Sequence, residues 1–112
     1  AAIAVAPVTN WRFYDNIYTE RYMRTPAENS TNYDINSLLA HAAKLKGNLL
    51  LVHGTGDDNV HVQNSMRLAE ELIQANKQFD YMVYPDKNHG IFGGATRYQL
   101  FTKMTNFLLE NL

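Results

Sequence analysis

Three short apolar runs, separated by stretches of helical spacing, constrain this chain more than any other feature. Residues 2 to 8 (Ala2, Ile3, Ala4, Val5, Ala6, Pro7, Val8) are small and apolar throughout. "NLLLV", Asn48 to Val52, carries no polar alternation after its first residue, and "FDYMVY", Phe79 to Tyr84, stops at Pro85. A strand without a polar face has water on neither side, the pattern of a parallel strand covered by helices above and below. Pro7 fits the end of the first strand, where no ladder donor is required.

Between the runs the period changes. "INSLLAHAAKLKG" sets Leu38, Leu39, Ala42 and Leu45 at helical spacing, with Asp34 or Asn36 as its cap and Gly47 just past its end. Met66, Ala69, Leu72 and Ile73 define the inner face of a helix from about Val62 to Asn76. Phe101, Met104, Phe107 and Leu108 do the same for a last helix, Thr96 to about Leu109. An aromatic stretch, "NWRFYDNIYTERYM", and a polar loop from Arg24 to Asp34 follow the first run. Strands alternating with helices predict an α/β fold, a parallel sheet with flanking helices and right-handed crossovers. Three short strands make a small sheet, and the chain opens inside an apolar run with neither Met nor a signal-peptide pattern. The expectation is therefore part of one larger domain.

Composition removes several functions. Ten basic and eleven acidic residues give a formal net charge of -1, which leaves no footprint for nucleic acid and no basic face for an anionic membrane. There is no cysteine, so disulfides, thiolate metal sites and a cysteine nucleophile are excluded. No apolar run approaches the ~20 residues of a membrane helix.

Chemistry concentrates after the second and third runs. Asp57 or Asp58, in "LVHGTGDDNVH", and His89, in "PDKNHGIFGGA", both lie just beyond a strand's carboxyl end. In open α/β sheets those loops form the ligand crevice. A carboxylate accepting from one imidazole N–H fixes the tautomer and leaves the other nitrogen free to take a proton from a nucleophile. The plainer reading is an acid capping the next helix and a polar loop histidine. His53, Asp57, Asp58, His61 and His89 could also gather round a metal, but none follows a short ligand spacing such as HExxH, so no metal or other cofactor is expected. "GTGDDN" lacks the glycines and Gly-Lys-Ser/Thr of a phosphate loop, and His41, inside a helical pattern, reads as structural. Trp11, Tyr14 and Tyr18 fall at i, i+3 and i+7, one face of a helix; they form either a core stripe or an aromatic pocket suited to proline.

"AVAPVTNWRFYDNIYTERYM", "LLLVHGTGDDNVHVQNS" and "YPDKNHGI" together make the chain resemble the C-terminal part of the dipeptidyl peptidase IV branch of the prolyl oligopeptidase family. The resemblance spans nearly all 112 residues. It implies an α/β-hydrolase fold and a serine exopeptidase that removes dipeptides with proline or alanine in the second position. By the same resemblance Asp57 is the triad carboxylate, His89 the general base, and Asn59 a hydrogen-bond partner of a substrate carbonyl. Val8, Trp11, Tyr14, Tyr18 and Val60 match walls of the proline pocket, and Asp58 is structural support.

The departures matter as much. The family's nucleophile sits in a G-x-S-x-G elbow, and no such motif occurs here; Ser30, Ser37 and Ser65 lack flanking glycines. The family's propeller, its paired acids for the substrate amine and its oxyanion tyrosine are not among these residues. The chain alone is thus expected to be inactive. The resemblance further implies a homo-oligomer, and a periplasmic, secreted or membrane-anchored setting. The alternative is a non-catalytic α/β interaction module that pairs through an exposed sheet edge. Asn29-Ser30-Thr31 is a glycosylation sequon by pattern.

Overall fold

A computed structural model describes residues 1–112. Its centre is a parallel sheet of three strands in the order β1 (Ala2–Val5), β2 (Leu49–Gly54), β3 (Asp80–Tyr84). Val5 pairs with Val52 and Gly54 with Tyr84, so the strands finish near one level. α1 (Asn16–Met23), α2 (Ser30–Ile35) and a 3-10 helix, Leu38–Lys44, lie between β1 and β2. α3 (Gln63–Gln74) joins β2 to β3, and α4 (Thr96–Asn111) follows β3.

Alternation of side chains along β2 builds two cores. Leu50 and Val52 pack with Tyr84, Ile91, Leu100 and Phe107, the last two from α4. Leu51 points the other way, to Ala42, Leu68 and Leu72 from the 3-10 helix and α3. All three β2 residues are fully buried, each side chain contributing roughly 1.5–3 kcal/mol of apolar burial. That two-sided demand is why the run tolerates no polar residue until His53.

Local details depart from the sequence expectations for physical reasons. The first strand ends at Val5, because Ala6 turns into the left-handed region at φ 49 and Pro7 and Val8 leave the sheet. β1 lies at a sheet edge, with Val5 exposed, rather than covered on both faces. The segment after Ser37 is 3-10 rather than α-helical, and its cap is Ser37 Oγ, which accepts from Leu39 N–H, not Asp34 or Asn36. The stretch read as a loop from Arg24 to Asp34 contains most of α2. On α3 the buried face is Asn64, Ser65, Leu68, Ala69 and Leu72, while Met66 and Ile73 are exposed. On α4 it is Leu100 and Phe107, with Phe101 and Leu108 outward. On α3 polar or small residues occupy inner positions that apolar periodicity assigns elsewhere, and on α4 Leu100 takes the inner position assigned to its neighbour Phe101. No helix is long and apolar enough to cross a membrane. Asn29 of the sequon is half-buried, its amide donating to the Met23 carbonyl at 2.9 Å.

Candidate active site

Because β2 and β3 are parallel neighbours, the loops leaving them open on one rim. The first carries Asp57 and the second His89. Gly54 ends β2 where these loops meet: a Cβ there would lie 2.3 Å from the Lys87 carbonyl oxygen, so only glycine permits the contact. Backbone bonds seal it, from Thr55 N–H to the Tyr84 carbonyl and from Gly56 N–H to the Lys87 carbonyl, both at 3.0 Å. Beyond His89 the loop is anchored by Ile91, which is buried in the α4-side core with φ 44. A β-branched residue in the left-handed region is strained by about 1–3 kcal/mol and persists only where packing over-determines it.

The Asp57 side chain is wholly buried. Its Oδ1 accepts the N–H groups of Asn59 and Val60, each at 2.9 Å. Its Oδ2 accepts from His89 Nδ1 at 2.9 Å. Burial pushes the carboxyl pKa up, but the His89 bond, the two backbone N–H groups and the imidazole's charge outweigh it and hold the group below its usual range. Asp57 is therefore an anion at neutral pH, and an acceptor-only anion requires the proton on His89 Nδ1. Nε2 of His89 makes no hydrogen bond within the chain, and the side chain is 45% exposed. The geometry is that of a base with its back to a fixed acid and its free nitrogen toward the rim.

Of the two acids, Asp57 meets His89, while Asp58 is exposed and makes no such contact. His61 lies on the surface just before α3, away from the gathering of His53, Asp57 and His89. His41 is exposed and bonds the Ile35 carbonyl at 2.8 Å.

Sequence reasoning missed His53. The sequence offers it only as one of five possible metal ligands, yet its ring is fully buried. Nδ1 lies 2.7 Å from Ser65 Oγ, and Nε2 lies 2.7 Å from the Val60 carbonyl and 3.3 Å from Asp57 Oδ2. A carbonyl only accepts, so Nε2 carries a proton and, in the neutral ring, Nδ1 accepts from the Ser65 hydroxyl. The available signal was parity: His53 is two residues beyond Leu51 and so shares its α3-facing side.

Trp11, Tyr14 and Tyr18 do not lie on one helix. Trp11 opens a 3-10 turn, Trp11–Phe13, Tyr14 is extended, and Tyr18 belongs to α1, capped by Asp15. The rings gather nonetheless. Trp11 and Tyr18 stack at 6.2 Å between centroids, and Tyr14 meets them edge-on at 6.1 and 5.6 Å. The Tyr14 hydroxyl donates to Asn59 Oδ1 at 2.7 Å, which ties the aromatic cluster to the Asp57 loop. Val60 is buried. Val8 is half-buried and precedes Thr9, whose N–H and hydroxyl are both bonded to Asn64 on α3. A hollow of about 460 Å³ is lined by Trp11, Tyr18, Tyr22 and Met23 with asparagines of the α2 region; Asp57 and His89 lie outside it.

The family model described as the prolyl oligopeptidase family matches residues 1–112. A protein of Aspergillus terreus named "Probable dipeptidyl-aminopeptidase B" is 47% identical over 111 residues, covering 96% of this chain and 12% of its own length. "Prolyl endopeptidase FAP" of Mus musculus is 45% identical over 111 residues, covering 96% of this chain and 15% of its own. The crystal structure of Porphyromonas gingivalis dipeptidyl peptidase 4 superposes with a TM-score of 0.97 at 58% identity, over 98% of this chain and 16% of that one. The chain thus spans about an eighth of the length of the first curated relatives it matches.

Proposed function

This chain belongs to the prolyl oligopeptidase family, and on that premise we propose that it forms the C-terminal portion of the catalytic α/β-hydrolase domain of a serine dipeptidyl peptidase. The observation that carries the reading is the 2.9 Å bond from His89 Nδ1 to a fully buried Asp57 carboxylate, with Nε2 turned to the open rim. The acid precedes the base in the chain, as in α/β-hydrolases, where a serine comes first. Names of relatives and of the solved neighbour support peptide bonds as the substrate.

The nucleophile is a serine from outside these residues, since Ser65 is committed to His53 and Ser30 and Ser37 lie on the α2 side of the molecule. That serine's Oγ attacks the carbonyl carbon of the second substrate residue while His89 Nε2 takes its proton. The imidazolium, held by Asp57, then protonates the leaving amine, and water repeats the sequence to release the dipeptide. Trp11, Tyr14 and Tyr18, with Val8 and Val60, form walls of a pocket for proline or alanine, and Asn59 faces a substrate carbonyl. A base without a nucleophile forms no acyl-enzyme, so the isolated 112 residues are inactive.

The test uses the full-length protein and a chromogenic Gly-Pro amide. Asp57→Ala and His89→Ala each lower turnover by at least about 10²–10⁴; near-normal turnover in either ends the reading. A non-catalytic module is the second reading, favoured by the unpaired outer edges of β1 and β3. Coding sequence just upstream separates the two, G-x-S-x-G supporting the enzyme and an initiator Met the module.

A further inference from the structure

The Asp57 carboxylate is held by backbone donors that themselves need holding. Val60 gives its N–H to Asp57 Oδ1, and its carbonyl is gripped by His53 Nε2 at 2.7 Å. The same imidazole N–H lies 3.3 Å from Asp57 Oδ2, the oxygen that His89 uses. On its other side the ring is locked by Ser65 Oγ at 2.7 Å, from α3. Tyr81, on β3, turns its hydroxyl to Met66 Sδ at 3.7 Å, and burial raises its phenol pKa. A bare aromatic ring would fill the same space with no desolvated nitrogens to satisfy. The position instead holds a fully buried histidine with both nitrogens hydrogen-bonded, Nε2 to a residue that itself bonds the acid.

We infer that His53 is a positioning residue for Asp57, clamping the turn that aims the carboxylate at His89. The inference rests on the proposed roles of Asp57 and His89. The Val60 carbonyl, which only accepts, fixes the Nε2–H tautomer, and Ser65 Oγ satisfies Nδ1; Nε2–H holds that carbonyl, and the N–H of the same residue holds Oδ1, so Oδ2 is left facing His89 Nδ1. Without the clamp the turn loosens, the carboxylate drifts from the imidazole, and the imidazolium loses its counter-charge. The charged and titratable groups facing the ring are Asp57 in its own loop and, across the carboxylate, His89, while Ser65 from α3 is a neutral partner.

Two substitutions separate clamp from filler. In His53→Gln the terminal amide reaches the place of Nε2–H and keeps a donor for the Val60 carbonyl, whereas His53→Phe keeps the ring's bulk and no donor. In the full-length protein, with folding checked by circular dichroism, His53→Phe is expected to lose roughly ten- to hundredfold in kcat, the scale of lost outer-shell support, with KM little changed. Its acidic limb of kcat/KM moves to lower pH, and His53→Gln restores most of the loss. A limb that stays put, or moves upward, overturns the inference, as does a glutamine variant no better than phenylalanine.

If His53→Phe does not fold, Ser65→Ala serves: it removes the bond that anchors Nδ1 without touching the ring, and kcat falls by roughly two- to tenfold; unchanged kcat is a negative result for the clamp. The downfield proton resonance of His89 Nδ1–H reads the same contact without turnover. In His53→Phe, or in Ser65→Ala, it moves upfield as the bond to Asp57 weakens, and an unmoved signal rejects the clamp. Should Asp57→Asn leave turnover intact, the catalytic reading fails while this resonance still decides on His53.

Discussion

At the scale of single residues the site turns on how one buried carboxylate distributes its two oxygens. Oδ1 is saturated by backbone N–H groups of its own turn, and Oδ2 is left for imidazole. The lowered pKa has a consequence for stability. Where the pH lies above the unfolded-state carboxyl value, near 4, Asp57 is ionised in both states and its stabilisation is complete. As the pH falls through the lower folded-state value, a proton must be added to a group whose bonds favour the anion, and the contribution disappears. Asp57→Asn should therefore melt below the wild type at pH 7, and the gap should narrow as pH drops below about 4; a constant or widening gap would contradict the assignment. Asp57 and His89 were legible as a pair because both sit one loop past an apolar strand. The choice between Asp57 and Asp58 was not legible from spacing, since a turn of unknown shape decides which neighbour points inward.

At the scale of elements, β2 was readable and the helices less so. "LLLV" has no polar residue to place outward, so only a two-sided burial satisfies it, and both cores are built on it. On α4 the inner face lies one residue off, at Leu100 rather than Phe101, whereas that of α3 escaped apolar periodicity because Asn64 and Ser65 are buried to bond Thr9 and His53. Long-range hydrogen bonds of that sort leave no local pattern. The aromatic cluster likewise comes from three different backbone conformations, so its i, i+3, i+7 spacing was a true hint for an incorrect reason. The seam between the β2 and β3 loops supplies the prediction at this scale. Gly54→Ala would drive a methyl group into the Lys87 peptide, and relief requires backbone movement in the segment bearing His89. A drop in melting temperature together with a loss of turnover beyond the unfolded fraction is expected in the full-length protein. Normal kinetics in the folded variant would show the seam to be compliant.

At the scale of the whole molecule, the three-stranded sheet has outer edges on β1 and β3, and α4 leaves Tyr98, Phe101 and Leu109 exposed. Unpaired parallel edges are templates for strand addition. The isolated 112 residues should accordingly sediment as species larger than a monomer, shifting with dilution, and should not cleave a Gly-Pro amide; a dilution-resistant monomer would remove the self-association. The groups that hold the Asp57 carboxylate in place come from His53, Asn59, Val60 and His89, one crossover unit of the fold. On the proposed reading, acid and base come ready-joined on one short stretch of chain, and a nucleophile delivered on a separate polypeptide would find its partner already armed. Complementation between two severed halves of such an enzyme would need to rebuild a single junction, that between serine and imidazole.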